Sequence, residues 1–171
     1  GIAAFIDAEH AFDRFYAAIN WCNTAIFHAQ TVPNPSNDEI LATTLNKREA
    51  EARVLRAFYY WILTETFGDT YYTDQPSTSI VMNPVKTSTD NIYQYMFDDL
   101  DWAIKSKLST LQNDGGRVTV WTAKALKARL LLTRASVTKD AKMYEQAYNL
   151  AKDVIDNGPF ELAKDFASIW D

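Results

Sequence analysis

Apolar residues recur along this chain at alternating steps of three and four, the spacing that lines one face of an α-helix. Phe5, Ala8, Phe12, Phe15, Ile19, Cys22 and Ile26 draw the first such stripe, which predicts a helix over residues 3–30. Ala4, Ala11, Ala18 and Ala25 run beside it, and small side chains on a shared line let a neighbouring helix approach closely. The polar, turn-rich segment Val32-Pro33-Asn34-Pro35-Ser36-Asn37 ends that helix.

A second helix is predicted over residues 44–67, and its two halves differ in composition. Lys47, Arg48, Glu49, Glu51, Arg53 and Arg56 leave only part of the first half apolar, so that half is expected to be partly solvated, with Glu49 and Arg53 forming an i,i+4 pair. From Ala57 to Phe67 apolar and aromatic side chains cover nearly every direction, which predicts burial between neighbours. Gly68 is expected to supply a left-handed terminating position, and Asp69 opens a loop running through Tyr71, Tyr72, Pro76 and Pro84.

A third helix is predicted over 89–108, capped by Ser88 or Thr89, with Ile92, Tyr93, Met96, Leu100, Ala103 and Ile104 inward and Asp98, Asp99 and Asp101 mostly outward. After the turn Asn113-Asp114-Gly115-Gly116, Thr119 caps a fourth helix over 119–137 that buries Ala123, Leu126, Leu130 and Leu131. Asp140 caps a fifth, over 141–157, with an apolar face of Tyr144, Ala147, Tyr148, Ala151, Val154 and Ile155. Gly158-Pro159 stops it. Five helices and no clear strand predict an all-α protein. The last two helices form a pair of about 40 residues, near the size of a tetratricopeptide unit. A degenerate helical-repeat layer is expected, with a closed bundle as the alternative.

Composition narrows the function classes. The 171 residues suit a single domain, 1–171, and 47% hydrophobic content is enough for a core. A net charge of −5, with no Lys/Arg-rich run, argues against a nucleic-acid partner. The longest apolar run, Phe58 to Leu63, is too short to span a bilayer. The lone Cys22 reads as a small core residue. Catalytic and cofactor signals are absent from the pattern: no glycine-rich phosphate loop, and no metal-ligand spacing around His10 and His28, which are expected at the surface or a helix edge. Asp98, Asp99 and Asp101 lack the glycine turn and distal Glu of a calcium loop and read as a solvated face. No enzyme, cofactor or metal is expected. The candidates for ligand contact are Tyr71 and Tyr72, whose flat faces could stack on a sugar ring, together with Asp69 and Asp74, whose carboxylates could accept from its hydroxyls. Packing of the tyrosines on the scaffold is the competing reading.

The run "NKREAEARVLRAFYYWILTETFGDTYY" resembles the SusD/RagB-like family, in which a helix of the type E-A-x-x-L-R-A-x-x-Y-F ends at F-G-D and an extended segment follows. "NIYQYMFDDLDWAI", "GRVTVWTAKALKARLLL", "YEQAYNLAKDVIDNGPFEL" and "FYAAINWCNTAI" resemble four further blocks of that family in the same order. Thr70-Tyr71-Tyr72 departs from the Val-Pro-Leu usual after Gly-Asp, which leaves the local loop path open. The resemblance implies a non-enzymatic, surface-exposed outer-membrane lipoprotein of Bacteroidetes. Such a protein captures oligosaccharide and delivers it to a SusC-like TonB-dependent transporter. It also implies that this chain is an internal piece of a longer protein, with the lipid anchor elsewhere. A RagB-like member capturing peptide, a generic helical-repeat interaction scaffold and a fragment of an all-helical glycosidase are the alternatives; the paired carboxylates that the last requires are not evident.

Overall fold

A computed structural model of the chain describes residues 2–79, 81–106, 108, 116–165 and 167, with side chains from residue 10 onward. Five helices carry the fold: α1 (Ile2–Thr31), α2 (Glu39–Phe67), α3 (Thr89–Lys105), α4 (Val120–Thr138) and α5 (Ala141–Asn157). Between α2 and α3 the chain pairs with itself once, β1 (Thr70–Tyr71) running antiparallel to β2 (Lys86–Thr87) with Thr70 opposite Thr87. Among the described residues that ladder is the only sheet, and the fold is all-α.

Local chemistry explains where the helices begin and end. The Thr119 hydroxyl accepts from Thr122 N, while the Thr122 side chain returns to the Thr119 backbone, a reciprocal capping box at the start of α4. Ser88 and Asp140 cap α3 and α5. Two boundaries differ from expectation. Helix α2 starts at Glu39 rather than near residue 44, because the Asp38 carboxylate takes the amides of Ile40 and Leu41 at 2.8 and 3.2 Å. Helix α3 stops at Lys105 rather than 108, where Ser106 turns extended and its hydroxyl donates to the Ala103 carbonyl at 2.6 Å. Gly68 has the expected positive φ of 73°, but ψ of −136° places it outside the left-handed helical basin, in a region open to little but glycine. Gly158 stops α5 by close approach instead of positive φ: a Cβ there would lie 2.3 Å from the Val154 carbonyl oxygen. Most of the turn expected at 113–116 lies outside the described residues.

Each helix packs chiefly on its chain neighbours, α1 on α2, α2 on α3, α3 on α4 and α4 on α5. That succession makes an open layer of the repeat type rather than a closed bundle. Ile19, Val54, Tyr60, Leu63, Ile92, Met96, Leu100, Leu130 and Leu131 form its dry centre. Cys22 sits beside Ile26 in a small satellite cluster, as a core residue, and burial pushes its thiol up to about 11.

Three expectations about faces need correction. The contrast between the halves of α2 is weak: Glu49, Val54 and Arg56 of the charged half are buried, while Phe58 of the aromatic half is 37% exposed. Helix α2 lies between α1 and α3, so a buried stripe runs from Glu49 to Thr64 across both halves while other positions of the same stretch stay wet. Asp99 does not face solvent. It is 4% exposed and bound to Arg56, whereas Asp98 is exposed and bonded to Gln94, and Asp101 pairs with Lys127. The apolar face of α5 is largely open: among the described residues α4 is the helix that packs on it, Ala147 is its buried residue, and Tyr148 and Ile155 remain exposed.

Candidate functional site

The connection between α2 and α3 is held by side chains from the helices, and most of those bonds go to its backbone. Along α1, Tyr16, Asn20 and Asn23 lie at i, i+4 and i+7, hence on one face. The Tyr16 hydroxyl donates to the Tyr71 carbonyl at 2.7 Å and meets the Thr70 hydroxyl at 2.5 Å. Asn20 Oδ1 accepts from Ser77 N at 2.7 Å. Asn23 Nδ2 donates to the carbonyls of Thr73 and Gln75, each at 3.1 Å. From α2, the Tyr60 hydroxyl accepts from Thr73 N at 2.9 Å and lies 3.0 Å from the Thr73 carbonyl. These contacts replace the ladder partners that an extended segment would otherwise lack.

A buried ionic relay fixes the orientation of Asn23. The Arg56 guanidinium grips Asp99 through Nε and Nη2 at 2.7 Å and donates from Nη1 to Asn23 Oδ1 at 2.8 Å, leaving the amide nitrogen to face the loop. Burial alone would weaken the charged form of Arg56; the bonds and charge of Asp99 outweigh it and hold the guanidinium protonated more firmly than usual. Arg53 adds a second cation to Asp99 at 2.7 Å and reaches Glu49 at 2.8 Å, the expected i,i+4 pair. Gln30 from α1 closes the relay on Glu49 at 2.7 Å.

The four residues singled out from sequence fall in different surroundings. Successive side chains of extended backbone point to opposite sides. Tyr71 accordingly lines a groove against α1, its ring 6.5 Å from that of Tyr16. Tyr72 turns the other way, stacked on Tyr95 at 4.1 Å and 5.0 Å from Tyr60, where burial raises its hydroxyl to about 12. Asp69 is exposed, and its carboxylate accepts from the Thr89 amide and hydroxyl at 2.8 and 2.9 Å. Those bonds hold its pKa below the usual carboxylate value. Asp74 is exposed beside Gln75.

The groove that Tyr71 lines has a volume of about 580 Å³ and runs between α1 and the loop residues 71–79, 81 and 84. Phe12 and Tyr16 form its helical wall, and Ser77 and Ser79 face them from the loop. None of the lining side chains carries a charge. Such walls can hold a ligand; they offer no nucleophile paired with a base. Among the described residues no cluster of His, Cys, Asp and Glu could hold a metal ion, and His10 and His28 are exposed. Sequence reasoning missed Tyr16, Asn20, Asn23, Arg56 and Asp99 as a site-building set. The polar positions of α1 at four- and three-residue steps were the one available signal for the first three.

The pattern of the SusD-like family described as "Starch-binding associating with outer membrane" matches residues 6–169. A SusD-like protein of Bacteroides ovatus is 29% identical over 166 residues, spanning 94% of this chain and 29% of that protein. The crystal structure of a SusD superfamily protein from Parabacteroides distasonis superposes with a TM-score of 0.84 at 27% identity, over 94% of this chain and 34% of its own. A crystal structure with xylogluco-oligosaccharide superposes with a TM-score of 0.79 at 26% identity, over 93% of this chain and 31% of the other. The chain thus spans about a third of the length of these relatives. With the ordered helices, the layer they form and the family pattern running along nearly the whole sequence, this chain belongs to the SusD-like family.

Proposed function

We propose that this chain is the helical scaffold of a longer, non-enzymatic glycan-binding protein of the outer membrane, which captures oligosaccharide and passes it to a SusC-like TonB-dependent transporter. The family match over residues 6–169 carries the reading. The similar structure with xylogluco-oligosaccharide, and walls suited to binding without reaction, support it. The open face of α5, with Tyr148 and Ile155 exposed, is where further parts of a longer polypeptide would pack. Asp69, Tyr71, Tyr72 and Asp74 remain the proposed loop contacts, with Tyr71 the one whose surroundings suit a ligand best. The test is calorimetric titration of the longest natural form of the protein with xyloglucan- and starch-derived oligosaccharides, with product analysis of the same samples. Saturable binding with unchanged sugar, and co-purification with a large outer-membrane transporter, are expected. Turnover of the glycan, or binding of peptides in place of sugars, overturns the reading.

A further inference from the structure

We infer that the groove between α1 and the loop residues 71–79, 81 and 84 is itself a subsite for a neutral, hydroxyl-rich ring, with Tyr71 as its aromatic wall. The inference rests on the glycan-binding reading above and assigns it a place. Three observations point to this ligand class. The volume of about 580 Å³ falls within the range of small-molecule sites and accommodates more than one sugar ring. Aromatic surface from Phe12, Tyr16 and Tyr71 occurs together with the hydroxyls of Ser77 and Ser79, so an apolar ring face and its equatorial hydroxyls find complementary neighbours in one place. The absence of charge from the lining disfavours phosphorylated and uronate ligands, whose desolvation nothing there would offset.

The groove is also built before any ligand arrives. Its loop wall is fixed through backbone atoms by Tyr16, Asn20 and Asn23 of α1 and Tyr60 of α2, so little ordering of main chain is left for binding to accomplish. Because those grips act on the loop's backbone, the side chain at 79 can differ without moving its path, whereas the Ser77 hydroxyl donates to the Ser79 carbonyl at 2.8 Å and belongs to the frame. Position 79 is therefore a specificity-determining position on a fixed frame.

The test uses the longest natural form of the protein, titrated with a neutral xyloglucan-derived oligosaccharide and with a uronate-containing one of similar length. Ala17 lies on an exposed turn of α1 within the groove wall, so Ala17→Trp fills the groove while removing no contact. Ala17→Trp and Tyr71→Ala are expected to weaken neutral-sugar binding about tenfold or more, the range of a lost stacking face, with melting temperatures close to that of the unaltered protein. Tyr71→Phe retains the ring and is expected to bind within about threefold. Tight binding that Ala17→Trp leaves unchanged overturns the subsite and leaves the glycan-binding reading standing. Failure of the unaltered protein to bind any neutral oligosaccharide overturns both. Preference for the uronate ligand overturns the assignment to neutral rings.

Discussion

Tyr60 illustrates how one residue can serve core and loop at once. Its ring is 1% exposed at the centre of the layer, while its hydroxyl bonds the backbone of Thr73. Tyr60→Phe keeps the packing and strands a loop amide, so a loss of about 1–3 kcal/mol is expected in chemical denaturation; Tyr60→Ala adds a cavity and should cost roughly 3–5 kcal/mol. Trp61, half-buried with the Arg129 guanidinium 4.8 Å above its ring, is the comparison, and Trp61→Ala should cost less than Tyr60→Ala. The opposite ranking would show that the inward face of α2 has been misplaced. Asp99 is the other decisive residue. Removing its charge leaves Arg56 buried without a counter-ion, and Asp99→Asn should cost about 3–5 kcal/mol, where Asp98→Asn on the wet side of the same helix should cost almost nothing. Equal melting temperatures for the two variants would refute the relay.

Among the elements, α1 performs two tasks on adjoining faces: Ile19, Cys22 and Ile26 pack inward, while Tyr16, Asn20 and Asn23 hold the loop. Asn23→Ala releases the carbonyls of Thr73 and Gln75 and deprives Arg56 Nη1 of an acceptor. Amide exchange should therefore quicken at residues 73–77 while the amides of α4 keep their protection. Exchange that rises uniformly along the chain would mean that Asn23 supports the whole fold instead of the loop. The helices themselves were legible because each pairs a 3.6-residue stripe with a cap chemistry that acts over two or three residues, as Thr119 and Asp140 do. The loop frame was not, because its bonds from α1 join residues 50 or more positions apart, such as Asn23 with Thr73 and Tyr16 with Tyr71. Asp99 stands on the inward stripe of α3, three residues after Met96 and four before Ala103, but what makes burial of a carboxylate there tolerable is Arg56 on another helix, which no local pattern shows. Tyr71 and Tyr72 read alike in the sequence, and it is the contacts of Tyr71 with Tyr16 and of Tyr72 with Tyr95 that show their rings parting to opposite sides.

At the scale of the whole molecule, several buried acids titrate late, and this links stability to alkaline pH. Burial raises the Tyr72 hydroxyl to about 12 and the Cys22 thiol to about 11; it also raises Tyr16, Tyr60 and Tyr93, the last aided by a bond to Glu65. The unfolded chain releases these protons nearer pH 9.0 for the thiol and 10.0 for the phenols. Between those values and the raised ones the folded state binds more protons than the unfolded state, so stability falls as pH rises. The contribution is fully present below about pH 9 and is lost through the window from 9 to 12. Melting temperature should thus be insensitive to these groups near neutrality and drop steeply above pH 10. Tyr72→Phe preserves the stack on Tyr95 and removes one titrating group. Its alkaline decline should be shallower than that of the unaltered chain, with the two curves parallel below pH 9. Curves that stay parallel to pH 12 would show that the Tyr72 hydroxyl is solvated in the folded state.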